Sequence, residues 1–94
     1  MDIKHLTTKG KKFIKNILRD YQIDDAAGQT LLLIAAEAFE RCEEARLRIK
    51  KEGSILIDRF GQQKTHPSIA IERDSRQQVI AALRALNLNP GGKI

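Results

Sequence analysis

Three carboxylates, Asp58, Glu72 and Asp74, lie close enough along the chain to suggest a divalent-metal site for phosphodiester cleavage. Their spacing argues against it. Glu72 and Asp74 stand two residues apart, and on a helix that spacing turns side chains to different faces. Glu72 is better placed to pair with Arg76 at i+4. His5, His66 and the single cysteine, Cys42, show no ligand-type spacing, so no zinc site is expected. Cys42 also has no nearby histidine to activate it as a nucleophile. The glycines at 10, 28, 53 and 61 match neither a Walker loop nor a dinucleotide fingerprint, and there is no hydrolase elbow. The chain is expected to carry no catalytic residues, no metal and no cofactor.

The chemistry that the residue types do support is ionic. Residues 1–19 carry Lys4, Lys9, Lys11, Lys12, Lys15 and Arg19 against Asp2 alone, a local +5 that equals the net charge of all 94 residues. Residues 20–74 are mildly acidic, and the C-terminal stretch restores the balance through Arg76, Arg84 and Lys93. Six clustered cations can neutralise phosphates, but they carry no information about bases. A basic stretch ahead of an acidic body fits a polyanion-binding arm on a protein-interaction core. The plainer alternative is that these lysines keep the outer face of a first helix wet. Phe13 and Tyr21 could stack on bases, yet both fit an apolar helix face better.

These residues must be positioned by few elements. At 41% apolar and 31% charged, the chain is one small domain, neither membrane-embedded nor disordered by composition. No run approaches the roughly 18 apolar residues of a membrane span, and no signal-peptide core is visible. One cysteine excludes an intrachain disulfide and fits a reducing compartment. With no Trp and one Tyr, a catalytic pocket would be hard to enclose.

The pattern predicts a mainly α fold of three helices, at about 9–21, 25–52 and 67–86, with a small β-hairpin at about 54–66. Thr7 or Thr8 caps the first helix, and Phe13, Ile14, Ile17, Leu18 and Tyr21 give it one apolar face. The second helix starts at Asp24/Asp25, runs without proline, and stops at Gly53 with Lys50 and Lys51 in its last turn. Leu31, Ala35, Ala38, Cys42, Ala45 and Ile49 repeat at spacings of 4, 3, 4, 3 and 4, a continuous seam. Glu37–Arg41 and Glu44–Arg48 are expected as i,i+4 pairs away from it. Residues 54–60 read as a strand, 61–63 as a turn and 64–66 as a short return strand, and Pro67 suits the start of the third helix. Val79, Leu83 and Leu86 form that helix's stripe, with Ile69, Ile80 and Ala82 beside it. The organisation expected is a basic arm at 1–20, an oligomerisation core at 21–88 and a flexible tail at 89–94.

The second helix is long for its protein. About 28 residues make a rod of roughly 42 Å, whereas a compact chain of this size has a radius of gyration near 12 Å. The overhang and the small residues of the seam favour assembly with further copies. The alternative is a long helix packed only on its own neighbours.

Three segments resemble the small subunit of tailed-phage terminases. They are Leu33-Ile34-Ala35-Ala36-Glu37-Ala38-Phe39-Glu40-Arg41, then Lys51-Glu52-Gly53 with Asp58-Arg59-Phe60-Gly61-Gln62, then His66-Pro67-Ser68-Ile69-Ala70-Ile71-Glu72-Arg73-Asp74-Ser75-Arg76. The last segment, followed by Leu83-Arg84-Ala85-Leu86-Asn87-Leu88, is the most specific, and the resemblance covers about three-quarters of the chain. It implies a non-catalytic, ring-forming factor that binds double-stranded viral DNA and delivers it to the large terminase subunit, an ATPase and nuclease, in the host cytoplasm. No membrane is involved. The six basic residues at 4–19 would then face DNA. The seam and the hairpin, including Ile55 and Ile57, would lie between subunits. Many family members have a separate N-terminal helix-turn-helix domain, whereas here about 20 residues precede the core. Phosphate contact is therefore expected rather than base reading. Two other functions share these features: a small dimeric DNA-binding regulator of repressor or antitoxin type, and a protein-only assembly adaptor.

Overall fold

The computed structural model describes residues 1–88, so the tail expected at 89–94 lies outside the described residues. Helix α1 spans Thr8–Asp20 and α2 spans Ala26–Glu52. Strands β1 (Ile55–Ile57) and β2 (Gln63–Thr65) form a hairpin, and α3 spans Ser68–Ala85. This is the three-helix fold with an interposed hairpin that the pattern predicts, with every helix end within one residue of expectation.

Local chemistry accounts for the ends. Thr7 caps α1 by accepting from the Gly10 N–H, and Asp25 caps α2 by accepting from the Gly28 N–H at 2.9 Å. Gly53 ends α2 with φ of 86°, a conformation that side chains resist. α3 begins differently. Its first N–H, on Ser68, donates to Nδ1 of His66 at 3.0 Å, while Nε2 of His66 lies 3.0 Å from Glu52 at the end of α2. The imidazole is buried, and it ties together the end of α2, the return strand and the start of α3.

Two packing regions hold the helices. At one end, Leu6, Ile14, Ile23, Leu32 and Ala36 form a core, flanked by Phe13, Ile17, Tyr21, Leu86 and Leu88. Residues before α1, α1 itself, the start of α2 and the exit of α3 all contribute. Ile14 and Leu32 are its largest fully buried side chains. Along the rest of α2, the contact is with α3. The buried positions of α3 are Ser68, Ser75 and Ala82, seven residues apart, and those of α2 in this stretch are Ala35, Ala38, Cys42 and Ala45. Small residues on both helices allow a close approach of the two backbones.

The seam of α2 is thus covered largely by its own chain, with Leu31 and Ile49 half-buried at its ends. On α3, Val79, Leu83 and Leu86 are only half-buried and Ile80 is exposed, so the deepest line is the one of serines and alanine. The long α2–α3 pair makes the molecule a rod. Its extents are 54 × 29 × 20 Å and its radius of gyration is 16.2 Å, against about 12 Å for a compact chain of this length.

Candidate nucleic-acid interface

The amphipathic pattern of α1 decides where its cations point. Gly10 and Ile14 are buried against α2, and the Phe13 ring stacks on Phe39 with centroids 4.9 Å apart. Opposite that face, Lys11, Lys12, Lys15 and Arg19 recur at i, i+1, i+4 and i+8, a stripe about 100° wide and about 12 Å long. Lys12, Lys15 and Arg19 are exposed and Lys11 is half-buried. α1 contains one acidic residue, Asp20, which lies 3.3 Å from the Arg19 guanidinium. Among the described residues, Lys11, Lys12 and Lys15 have no ion-pair partner.

The other two residues of the predicted basic set are not part of the stripe. Lys9 turns toward α2, with its ammonium 3.5 Å from Glu43. Lys4 precedes the helix, where its exposed residue donates its backbone N–H to Asp2.

Elsewhere many cations are already matched. Arg46 pairs with Glu43 at 2.8 Å, Arg48 with Glu44 at 2.9 Å and Arg73 with Asp74 at 3.2 Å. Arg76 pairs with Glu72 and Lys64 reaches Asp58. Exposed pairs are worth little in stability, but each lowers the field that a polyanion would meet. The outer face of α1 keeps its field.

The carboxylates considered for metal chemistry are engaged separately. Glu72 and Asp74 serve the pairs just named. Asp58 closes the hairpin turn: its Oδ1 accepts from the backbone N–H groups of Phe60 and Gln62, both at 2.9 Å. The bond from Gln62, with those from Phe60 and Lys64, holds the Asp58 carboxyl below its ordinary value of 3.8 against a smaller opposing effect of desolvation. His5 contacts Glu37 at 2.8 Å and His66 contacts Glu52, at separate places in the fold. Cys42 is buried in the α2–α3 contact. Among the described residues, no three His, Cys, Asp or Glu side chains converge as a metal site.

Sequence spacing missed what tertiary neighbours change. Glu37 bonds His5 rather than Arg41, and Arg41 instead donates to Gln78 of α3 at 2.7 Å. It also missed the hairpin tip. There Phe60 is 73% exposed and Ile57 69%, beside a half-exposed Ile55. The sequence pattern carried the strand through Phe60, whereas β1 ends at Ile57 because Asp58 caps a turn over Phe60 and Gln62, which puts Phe60 at the tip.

The fold is a small helical domain, and the outer face of α1 carries a basic stripe whose lysines have no ion-pair partner among the described residues. The family model described as phage terminase, small subunit, matches residues 12–93, and the chain belongs to that family. No curated protein and no solved structure matches it. Among the described residues, no helix is long and apolar enough to cross a membrane.

Proposed function

We propose that this chain is a non-catalytic, ring-forming small terminase subunit, acting in the host cytoplasm. It binds double-stranded viral DNA through the outer face of α1 and brings it to the large terminase subunit for packaging. Family membership supports the packaging role. The observation that carries the DNA contact is the stripe Lys11–Lys12–Lys15–Arg19, whose three lysines have no ion-pair partner among the described residues. Duplex DNA presents one phosphate per about 3.4 Å of each strand, so a stripe about 12 Å long meets three to four of them. Lysine acts here as a point charge, without the bidentate geometry that reads a base edge. Contact is therefore with the backbone and independent of sequence. Self-assembly draws on the exposed Ile55 and Ile57 of the hairpin, while Leu31, Ala35, Ala38, Cys42, Ala45 and Ile49 serve it by fixing α2 on α3.

The test is a titration of duplex DNA at stepped salt concentrations. The wild-type chain is expected to show a log–log slope of about −2.7 to −3.6 per α1, at about −0.9 per phosphate neutralised. Lys11→Glu, Lys12→Glu and Lys15→Glu together should remove most of that slope and leave oligomer mass unchanged. Undiminished affinity in the triple variant would overturn the assignment of α1.

A further inference from the structure

Two surface features stand apart from the basic stripe. The first is the tip of the hairpin, which is held firmly while its apolar side chains stand in water. Besides the two bonds accepted by Asp58 Oδ1, the Asp58 N–H donates to the Gln62 carbonyl at 2.9 Å and the Gly61 N–H to the Asp58 carbonyl at 3.0 Å. Gly61 closes the turn at φ of 77°. A turn cross-linked in this way presents Phe60 in a fixed position, with the Arg59 guanidinium 4.9 Å from its ring centroid. Arg59 has no carboxylate partner among the described residues. Preorganised exposed aromatic residues with an adjacent arginine are the residue types that dominate protein interfaces.

The second feature is a groove of about 400 Å³ between the first turn of α1 and the outer face of α2. Leu47, 54% exposed, gives it an apolar wall, Glu40, Glu43 and Glu44 give it an acidic rim, and Lys9, paired with Glu43, is the one cation of its lining. Glu43 and Glu44 have cationic partners within the chain. Glu40 accepts from the backbone N–H and hydroxyl of Thr7 and has no ion-pair partner among the described residues. An apolar knob with a spare arginine and an apolar socket with a spare glutamate thus occur on one chain. They do not meet within it, since Phe60 and Leu47 are both largely exposed.

We propose that the hairpin tip of one copy, led by Phe60 and Arg59, seats in the α1–α2 groove of a second copy. This rests on the self-assembly reading above and specifies its geometry. The contact joins two different patches, so it is heterologous. Such contacts build rings when their rotation closes, whereas a two-fold dimer needs one patch that meets itself.

Light scattering over a dilution series tests this on the full chain. Phe60→Ser and Arg59→Glu, both at the exposed tip, should each raise the dissociation concentration at least about tenfold. Leu47→Asp should do the same from the socket side. The decisive experiment mixes Phe60→Ser with Leu47→Asp. Each chain alone should be monomeric, and the mixture should form one-to-one dimers, because one copy keeps a working socket and the other a working tip. Circular dichroism matching wild type establishes that each variant is folded. If the wild-type chain is monomeric throughout, the self-assembly reading fails and this contact with it. If the wild type assembles but Phe60→Ser and Leu47→Asp assemble equally well, the contact alone is overturned. Loss of DNA affinity at unchanged mass in Phe60→Ser would overturn it too, placing the tip against nucleic acid.

Discussion

Asp58 shows how much one carboxylate can organise. Its charged form is the one that accepts from Gln62 and Phe60, so the folded chain prefers it deprotonated and its pKa lies below 3.8. Its contribution to the hairpin is therefore complete above pH 3.8 and is lost as pH falls through the lowered value. The Phe60 and Gln62 amide resonances should shift together on acidification, with a common midpoint below 3.8, and Asp58→Asn should abolish that transition. A midpoint at or above 3.8 would contradict the bonding described. His66 is the other organising side chain. His66→Ala leaves the buried Ser68 N–H without an acceptor and Glu52 without its contact, at a cost of about 1–3 kcal/mol. In a domain this small that is a fall of roughly 5–20 °C in Tm by thermal unfolding.

Among the elements, the α2–α3 pair is the one whose failure the rest would not survive. Ala38 is fully buried on α2. Ala38→Glu forces a carboxylate into a fully buried position sized for a methyl group, and several kcal/mol of destabilisation should follow. Denaturant unfolding is the measurement, with a protomer that loses cooperative unfolding as the expected result. A variant as stable as wild type would show that α3 does not cover this position in solution. The helices themselves were legible in the sequence because their boundaries are local: Asp25 and Gly53 bracket α2, and His66-Pro67 announces α3. The 4-3-4-3-4 seam was legible as a face. Which surface covers it was not, since spacing along one helix is the same whether the neighbour is α3 or another copy. The basic face of α1 was similarly half-legible. Composition marked six cations, but only the packing of Ile14 and Phe13 on α2 separates Lys11, Lys12, Lys15 and Arg19 from Lys9.

At the scale of the whole molecule, the rod shape separates the functions. α1 packs on α2 from Leu32 to Glu43, and the hairpin follows the end of α2 at Gly53, about 40 Å of helix from Ala26. The hairpin tip is thereby set apart from the basic stripe, whereas the groove with Leu47 adjoins the first turn of α1. The two contacts should also answer differently to salt. Raising ionic strength should release DNA steeply and weaken the proposed contact between copies far less, because its apolar part is little screened and from the tip only Arg59 brings a charge to it. Dissociation of the oligomer in step with DNA release would show that both contacts are ionic.

The choice of lysine on α1 has a further consequence for movement. Three of the four stripe residues are lysines, each a flexible stem ending in a single charge, and no aromatic side chain of α1 is free to wedge between bases. On the proposed role, a duplex resting on this face meets the same energy at every phosphate step. An ammonium can leave one phosphate as it reaches the next, so displacement along the helical axis carries almost no barrier. Such a surface resists lifting of the duplex far more than sliding, and behaves as a lubricated bearing rather than a clamp.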